Sequence, residues 1–275
     1  MRAWQFSNTN KPLETNLQLV EDAPQPSKPL AATEILLEDI SVGLNPADYL
    51  FAEMGLLGKA IFHLPSIPGM DYSGRIVAVG SGVDSIKPGN LTNYQGCVLL
   101  PPDVDLDQAA GVGTAGQTVY STIVSYVNKG DRIFINGGAG GVGTFGIQFA
   151  KAMGCHVTVS CSTTKMALCK ELGADEVIDY KTTDLISRLR GEGKMFNLMV
   201  DLVCTSPPNL FKTANDFLVS GSKFIFVGAV NMFLPSILRG GKNKFKLFFA
   251  NCKVEELKTG TATGKIVIHV GEKPF

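Results

Sequence analysis

Arg132-Ile-Phe-Ile-Asn136, followed at once by Gly137-Gly138-Ala139-Gly140-Gly141-Val142-Gly143, is the stretch that decides the fold. Ile133-Phe134-Ile135 is a short continuous apolar run, the pattern of a strand buried on both faces. Gly138, Gly140 and Gly143 fit a GxGxxG spacing, which carries little alone in a chain with 30 glycines. The flanks give it weight. Val142, Phe145, Phe149 and Ala152 recur at helical spacing, so they are expected to face a sheet. Gly154 stops that helix, and Cys155-His-Val-Thr-Val-Ser160 reads as the next strand. Strand, glycine turn, helix and strand compose the βαβ unit that holds a dinucleotide. Glycines let the backbone approach a pyrophosphate, and the helix N-terminus offers N–H groups and about half a positive charge. Gly138, Gly140, Gly141 and Val142 are the expected cradle. The plain alternative is a glycine-rich turn without a ligand.

The end of the second strand bears on which dinucleotide. A site selective for NAD holds an Asp or Glu about 20 residues past the glycines, on the ribose hydroxyls. Here the region reads Ser160-Cys-Ser-Thr-Thr-Lys165, and the first acidic residue after Gly143 is Glu171. Hydroxyls and an ammonium accept a 2′-phosphate that a carboxylate would repel, so Ser162 and Lys165 point to NADP(H). Ser162 and Thr163 as helix caps, and Lys165 as a solvated charge, are the structural alternatives.

Outward from this unit, Asp107 to Val127 reads as a helix, and strands and helices alternate to about Val227. That alternation argues for a parallel sheet. Before it, Trp4-Gln-Phe6, Leu17–Val20, Glu34–Val42 and Asp71–Val79 read as strands between Pro and Gly punctuation. Gly264-Lys-Ile-Val-Ile-His-Val270 is a strand again. The chain of 275 residues is 45% hydrophobic and 18% charged, a folding composition that excludes disorder. Its 25 basic and 25 acidic residues leave no excess for a general nucleic-acid binder. Arg239, Lys242, Lys244 and Lys246 are accordingly read as a solvated face. No apolar run reaches the roughly 18 residues of a membrane helix, and the N-terminus lacks a signal core. The six cysteines show no CxxC pair, so reduced thiols in a cytoplasmic protein are expected.

The glycine loop and its flanks together resemble the medium-chain dehydrogenase/reductase superfamily, in its zinc-free quinone oxidoreductase and enoyl reductase branch. The segments that carry the resemblance span almost the whole chain. They are Val42-Gly-Leu-Asn-Pro-Ala-Asp-Tyr49, Pro68-Gly-Met-Asp-Tyr-Ser-Gly74 and on to Gly80, Ala110-Gly-Val-Gly-Thr-Ala-Gly-Gln-Thr118 and on to Tyr120, Leu172–Tyr180, Phe226-Val-Gly-Ala229 and Gly264–Ile268. The resemblance implies a GroES-like β-rich catalytic domain over 1–113 and 254–275. Around 114–253 it implies a Rossmann domain, a doubly wound parallel sheet, with the active site in the cleft. It places Asn45 and Asp48 near the nicotinamide. Tyr49 lies one residue before the family's usual tyrosine position, so active-site and packing roles both stay open. The resemblance puts Thr114 and Thr118 at the start of the helix leading into the Rossmann domain, near the nicotinamide or phosphates. It assigns Ser162, Lys165 and Tyr180 to the 2′-phosphate pocket, and Val227 and Gly228 to the strand passing beneath the nicotinamide.

The resemblance implies NADPH-dependent hydride transfer to a small electrophile, a quinone or an enone, with a homodimer left open. Zinc alcohol dehydrogenases put a cysteine in the loop that here reads Gly43-Leu-Asn45, and a His-Glu pair where this chain has Met70-Asp71. Catalytic zinc needs about three protein ligands, and His63, His156 and His269 are scattered, so no metal is expected. Two junctions are shorter than the family pattern: Asn90–Gln95, and Asn251–Lys253 running into Val254. They motivate a second reading, a non-catalytic NADPH-binding protein with a shortened catalytic domain. Phe51, Phe62, Phe233, Phe245 and Phe248 could line a substrate pocket or fill the core.

Overall fold

The computed structural model describes residues 1–26, 29–93 and 98–227, with the backbone of Phe245–Phe248 and Val267–His269. Gly228, Phe233, Arg239, Lys242, Lys244 and the junction at 252–254 lie outside the described residues, as do the side chains of Phe245, Lys246 and Phe248. Two compact units divide at Thr114 and Ala115.

In the first unit β1 (Ala3–Phe6) and β2 (Leu17–Val20) pair antiparallel, with the turn α1 (Leu13–Asn16) between them. A separate antiparallel sheet holds β3 (Ile35–Gly43), β4 (Asp71–Val79), β5 (Leu91–Asn93) and β6 (Val98–Leu99). α2 (Pro46–Ala52) and α3 (Leu56–Ile61) fill the β3–β4 connection. Phe6, Leu13 and Ala52 are buried together, and Leu17, Tyr49, Phe62 and Leu64 pack on them. Phe6 and Phe62 meet edge to face at 5.2 Å, the arrangement that aromatic quadrupoles favour. Phe62, half-buried, therefore packs against the core here.

α4 (Leu106–Thr122) carries the chain into the second unit. The helix stops five residues before the expected Val127, and a 3-10 turn, Val124–Tyr126, follows. The Thr122 hydroxyl donates back to the Thr118 carbonyl at 2.6 Å, and Thr122-Ile123-Val124 is β-branched, so the last turn is poorly supported.

The second unit runs β7 (Arg132–Asn136), α5 (Gly141–Ala152), β8 (His156–Cys161), α6 (Met166–Glu171), β9 (Glu176–Asp179), α7 (Leu185–Glu192), β10 (Phe196–Asp201), α8 (Leu210–Thr213), β11 (Leu218–Val227) and β12 (Phe245–Phe248). All six strands are parallel, in the order β12-β11-β10-β7-β8-β9. This is the doubly wound order, with the order in which strands are added reversing between β7 and β10. The apolar runs follow from it. Ile133 and Ile135 pack with Ile147, Val157 and Val200, whereas Phe134 packs with Phe196, Met199 and Phe224. Alternate residues of one strand thus feed two cores, each full burial contributing about 1.5–3 kcal/mol. β13 (Val267–His269) returns to the first unit and pairs antiparallel with β3, Ile268 opposite Val42.

α5 presents a different face from the expected one. Gly143, Thr144, Gly146, Ile147 and Ala150 are buried, while Val142, Phe145 and Phe149 are only half-buried at its sides. A Cβ at Gly146 would come within 3.1 Å of Ile135 Cδ1 and 3.2 Å of Ile123 Cδ1. Small residues let the helix approach the sheet closely, and the phenylalanines are pushed to the flanks.

Candidate cofactor site and active site

The glycine turn separates glycines needed by the protein from one that is not. A Cβ at Gly138 would lie 2.7 Å from Val159 Cβ, and one at Gly143 would lie 2.3 Å from the Gly137 carbonyl oxygen. Both positions require glycine for internal packing. A Cβ at Gly140 meets only Gly137 O, at 3.5 Å. The backbone there (φ −83°, ψ 174°) suits any residue. Gly140 caps α5, its carbonyl accepting Thr144 N–H at 2.9 Å. The first-turn N–H groups of Gly141, Val142 and Gly143 have no carbonyl acceptor within the helix itself. An open cradle over free donors at a twelve-residue helix N-terminus fits a pyrophosphate.

The adjacent strand ends bring together what the sequence keeps apart. β8 and β9 pair with Cys161 opposite Asp179, and Tyr180 N–H donates to the Cys161 carbonyl at 3.1 Å. Ser162, Thr163 and Lys165 therefore lie beside Tyr180 and Lys181. Ser162 precedes the 3-10 turn Thr163–Lys165, but its side chain makes no cap; its Oγ lies 3.5 Å from Thr164 Oγ1. Asp179 is the acidic residue that reading along the chain passes over. Thr163 Oγ1 donates to its Oδ2 at 2.6 Å and Lys181 N–H to its Oδ1 at 2.9 Å. The Thr163 hydroxyl and Lys181 N–H hold its carboxyl below the usual range. Lys181, also missed, sets its Nζ 5.4 Å from the Tyr180 ring centroid, a cation–π contact. The signal was available in Ile178-Asp179-Tyr180-Lys181, the end of the strand next to β8. Val227 closes β11 and is buried.

In the first unit Asn45 caps α2. Its N–H donates to Asp48 Oδ2 at 2.6 Å and its Nδ2 to Gly43 O at 3.3 Å. Both residues are buried. Asp48 is thus half of a capping box, a local role that the pattern Asn45-Pro-Ala-Asp48 encodes. Tyr49 packs its ring on the Phe6 cluster. Thr114 and Thr118 sit in the middle of α4 rather than at its start, one turn apart on the same face. Asp71, buried at the start of β4, accepts both the Thr114 N–H (2.8 Å) and the Thr114 hydroxyl (2.7 Å). That contact joins residues 43 apart and was not legible in the sequence. Among the described residues no three His, Cys, Asp or Glu side chains group as a metal site. No helix among them is long and apolar enough to cross a membrane.

Comparison with known proteins agrees with this architecture. Residues 31–176 match the alcohol dehydrogenase GroES-like domain, and residues 141–263 match the family described as zinc-binding dehydrogenase. A trans-enoyl reductase of Aspergillus terreus is 37% identical over 346 positions, covering 99% of this chain and 97% of that protein. Since 346 exceeds the chain's 275 residues, internal stretches of that relative have no counterpart here. A chloroplastic quinone oxidoreductase of Triphysaria versicolor is 27% identical, covering 89% and 91% of the two chains. The quinone oxidoreductase of Coxiella burnetii shares the fold with a TM-score of 0.82 at 24% identity, over 98% and 99% of the two chains. The Escherichia coli quinone oxidoreductase complexed with NADPH superposes with a TM-score of 0.71 at 26% identity, over 93% of this chain and 82% of that one. With its parallel sheet in doubly wound order, its β-rich first unit and these matches along its length, the chain belongs to the medium-chain dehydrogenase/reductase superfamily, alongside its quinone oxidoreductases and enoyl reductases.

Proposed function

We propose that the chain is an NADPH-dependent oxidoreductase that reduces a quinone, or the C=C bond of an α,β-unsaturated carbonyl, without zinc. The observation that carries the cofactor reading is the open space at Gly140 above the first turn of α5. The relatives named trans-enoyl reductase and quinone oxidoreductase support the acceptor class.

When bound, NADPH supplies the hydride. The chain's residues bind, orient and stabilise. Gly138, Gly140, Gly141 and Val142 hold the pyrophosphate. Ser162, Lys165 and Tyr180, with Lys181 added, receive the 2′-phosphate. Thr114, Thr118, Val227 and Gly228 are assigned to the nicotinamide half. Reduction of an enone adds hydride at the electrophilic carbon and a proton at its neighbour, so negative charge builds on the carbonyl oxygen in between. A preorganised donor there lowers the barrier. Asn45 is the donor we assign, because its amide is an N–H donor held at the N-cap of α2, in the loop that the family resemblance places near the nicotinamide. Asp48 positions Asn45 through the capping box. The ring of Tyr49 packs on the Phe6 cluster, and proton delivery is assigned to its hydroxyl or to water. Zinc independence is supported by Asp71, whose carboxylate is committed to Thr114 where zinc enzymes place the His-Glu pair.

The domain assignment is a catalytic domain over 1–113 and 254–275 and a Rossmann domain over 114–253. β13 pairing on β3 supports the C-terminal return. A cytoplasmic location is supported by buried free thiols at Cys155, Cys161, Cys169 and Cys204. A homodimer completes the proposal and is tested by light scattering. A second reading, NADPH binding without turnover, is favoured by the stretches of the Aspergillus relative that are missing here. One experiment separates the two. Purified protein with NADPH is screened against quinones and α,β-unsaturated carbonyls while the absorbance of the reduced nicotinamide is followed. Saturable oxidation supports the reductase; binding without oxidation of any acceptor supports the second reading.

A further inference from the structure

The ends of β8, β7, β10 and β11, four neighbours in the sheet, are tied by one continuous run of hydrogen bonds. At the end of β8, Ser160 Oγ accepts the Gly137 N–H at 3.1 Å and donates to Asn136 Oδ1 at 2.6 Å. Asn136 Nδ2, at the end of β7, donates to Asp201 Oδ1 at 2.8 Å and to Ser206 O at 2.9 Å. Asp201 Oδ1, at the end of β10, also accepts Val203 N–H at 3.1 Å and Cys204 N–H at 2.9 Å. Cys204 Sγ lies 3.5 Å from the carbonyl oxygen of Val227, the last residue of β11. Ser160, Asn136 and Asp201 are all buried. Cys204 holds a φ of 63°, which non-glycine residues rarely adopt, so its turn is imposed by its bonds. The Asn136–Asp201 bond spans the gap between β7 and β10, where the strand order reverses and doubly wound sheets bind their ligands.

We infer that Ser160, Asn136 and Asp201 are positioning residues for the dinucleotide, a hydrogen-bonded seam that fixes the glycine turn after β7 in register with the loop after β10. The inference rests on the reading that the glycine turn holds the pyrophosphate. None of the three needs to touch the cofactor. Ser160 pins the first N–H of the turn, and Asn136 passes that constraint to Asp201 and its loop. Loss of any member lets the turn drift from the pyrophosphate, which NADPH and NADH share. Both cofactors should therefore weaken by one common factor, unlike variants of the 2′-phosphate pocket, which change their ratio. Burial pushes the Asp201 carboxyl above its ordinary range, against the Cys204, Asn136 and Val203 donors that lower it. What the seam needs there is an acceptor, which an amide oxygen also supplies.

The full-length variants Ser160→Ala, Asn136→Ala, Asp201→Ala and Asp201→Asn are titrated with NADPH and with NADH by fluorescence, with circular dichroism as the fold control. Each alanine variant should weaken both cofactors equally, by roughly five- to a hundredfold, the range for losing a buried hydrogen-bond partner. Asp201→Asn should stay within about threefold of the parent, since the acceptor is kept. If Asn136→Ala or Asp201→Ala does not fold, Ser160→Ala decides alone. Parent affinity in Ser160→Ala overturns the inference, as does a loss confined to NADPH, or Asp201→Asn as weak as Asp201→Ala. Unfolding of all three alanine variants overturns it too, because the seam would then serve the fold only. Gly140→Val separates the two levels: if it binds normally, the pyrophosphate reading itself falls; if it loses binding while Ser160→Ala does not, only the seam falls.

Discussion

A valine at position 140 tests the cofactor site where the protein itself offers no objection. The Cβ would touch only Gly137 O at 3.5 Å, and the extended backbone accepts a side chain. Replacing glycine at this helix cap by an apolar residue costs on the order of 1 kcal/mol. Restricting the unfolded chain returns about 0.4–1 kcal/mol. Net stability should change little, and the thermal midpoint should move by no more than about 2–4 °C. The branches of valine, however, occupy the space over the N–H groups of Gly141, Val142 and Gly143. Displacing a pyrophosphate from one or two of those donors forfeits about 1.5–3 kcal/mol for each charge-assisted bond, tenfold or more in affinity. Fluorescence titration with NADPH reads the affinity, and circular dichroism with a thermal melt reads the fold. A native spectrum with unchanged affinity would refute the reasoning, because nothing could then occupy the space that the side chain fills. Gly143→Ala is the contrast: its Cβ would sit 2.3 Å from Gly137 O, so the turn itself must distort.

The remaining expectations concern selectivity, metal and thiols. The parent should bind NADPH more tightly than NADH, with the margin shrinking as salt rises. Lys165→Ala should weaken NADPH by one charge-assisted contact, about 1.5–3 kcal/mol, and Lys181→Ala by less because it is exposed, while NADH is spared. Ser162→Asp should lower the NADPH-to-NADH preference further; equal loss for both cofactors in Lys165→Ala would leave these residues as a turn and a surface charge. Elemental analysis of protein purified without added metal should find far less than one zinc per chain, and stoichiometric zinc lost together with activity would contradict the zinc-independent mechanism. Burial pushes the thiols of Cys169 and Cys204 up to about 12 and raises those of Cys155 and Cys161. These four should therefore stay neutral and inert to a disulfide reagent at pH 8 until denaturant is added, and rapid modification of more than two of the six thiols in the native chain would show the cores to be open.

The fold was legible where the physics is local. Ile133-Phe134-Ile135 announces a strand buried on both faces, and the structure divides exactly those residues between two cores. The strand ends Phe6, Val20 and Val79 fall where the alternation stops. The face of α5 was misread because apolar spacing counts large residues, whereas close helix–sheet approach selects small ones. Gly143, Gly146 and Ala150 look like gaps in a hydrophobic stripe and are in fact its centre. Asp71 and Thr114 illustrate the other limit. Neither spacing nor residue type announces a carboxylate that accepts two bonds from a residue far along the chain. Asn45 and Asp48 show a third case, in which a local capping box shares the residues that the family resemblance assigns to the active site.

Selectivity for the 2′-phosphate shows why a site cannot be read along one strand alone. The absence of acid between Gly143 and Glu171 suggested a pocket without opposing charge, yet the fold sets Asp179 directly across from Cys161. A free carboxylate there would act against a phosphate across a few ångströms, where even solvent-screened repulsion is on the order of 1 kcal/mol. Asp179 is not free. Its oxygens accept from Thr163 and from Lys181 N–H, so it spends its charge on holding the two loops together. The same bonds fix the loops that bear Lys165 and Lys181, whose two positive charges exceed its one negative charge. On the assignment proposed above, a residue that by type alone argues for NADH would serve to assemble a pocket for NADPH. Asp179→Ala should accordingly weaken NADPH rather than favour it, because disordering the cations costs more than removing a satisfied acid gains. Tighter NADPH binding in that variant, measured by the same titration, would show that Asp179 opposes the phosphate after all.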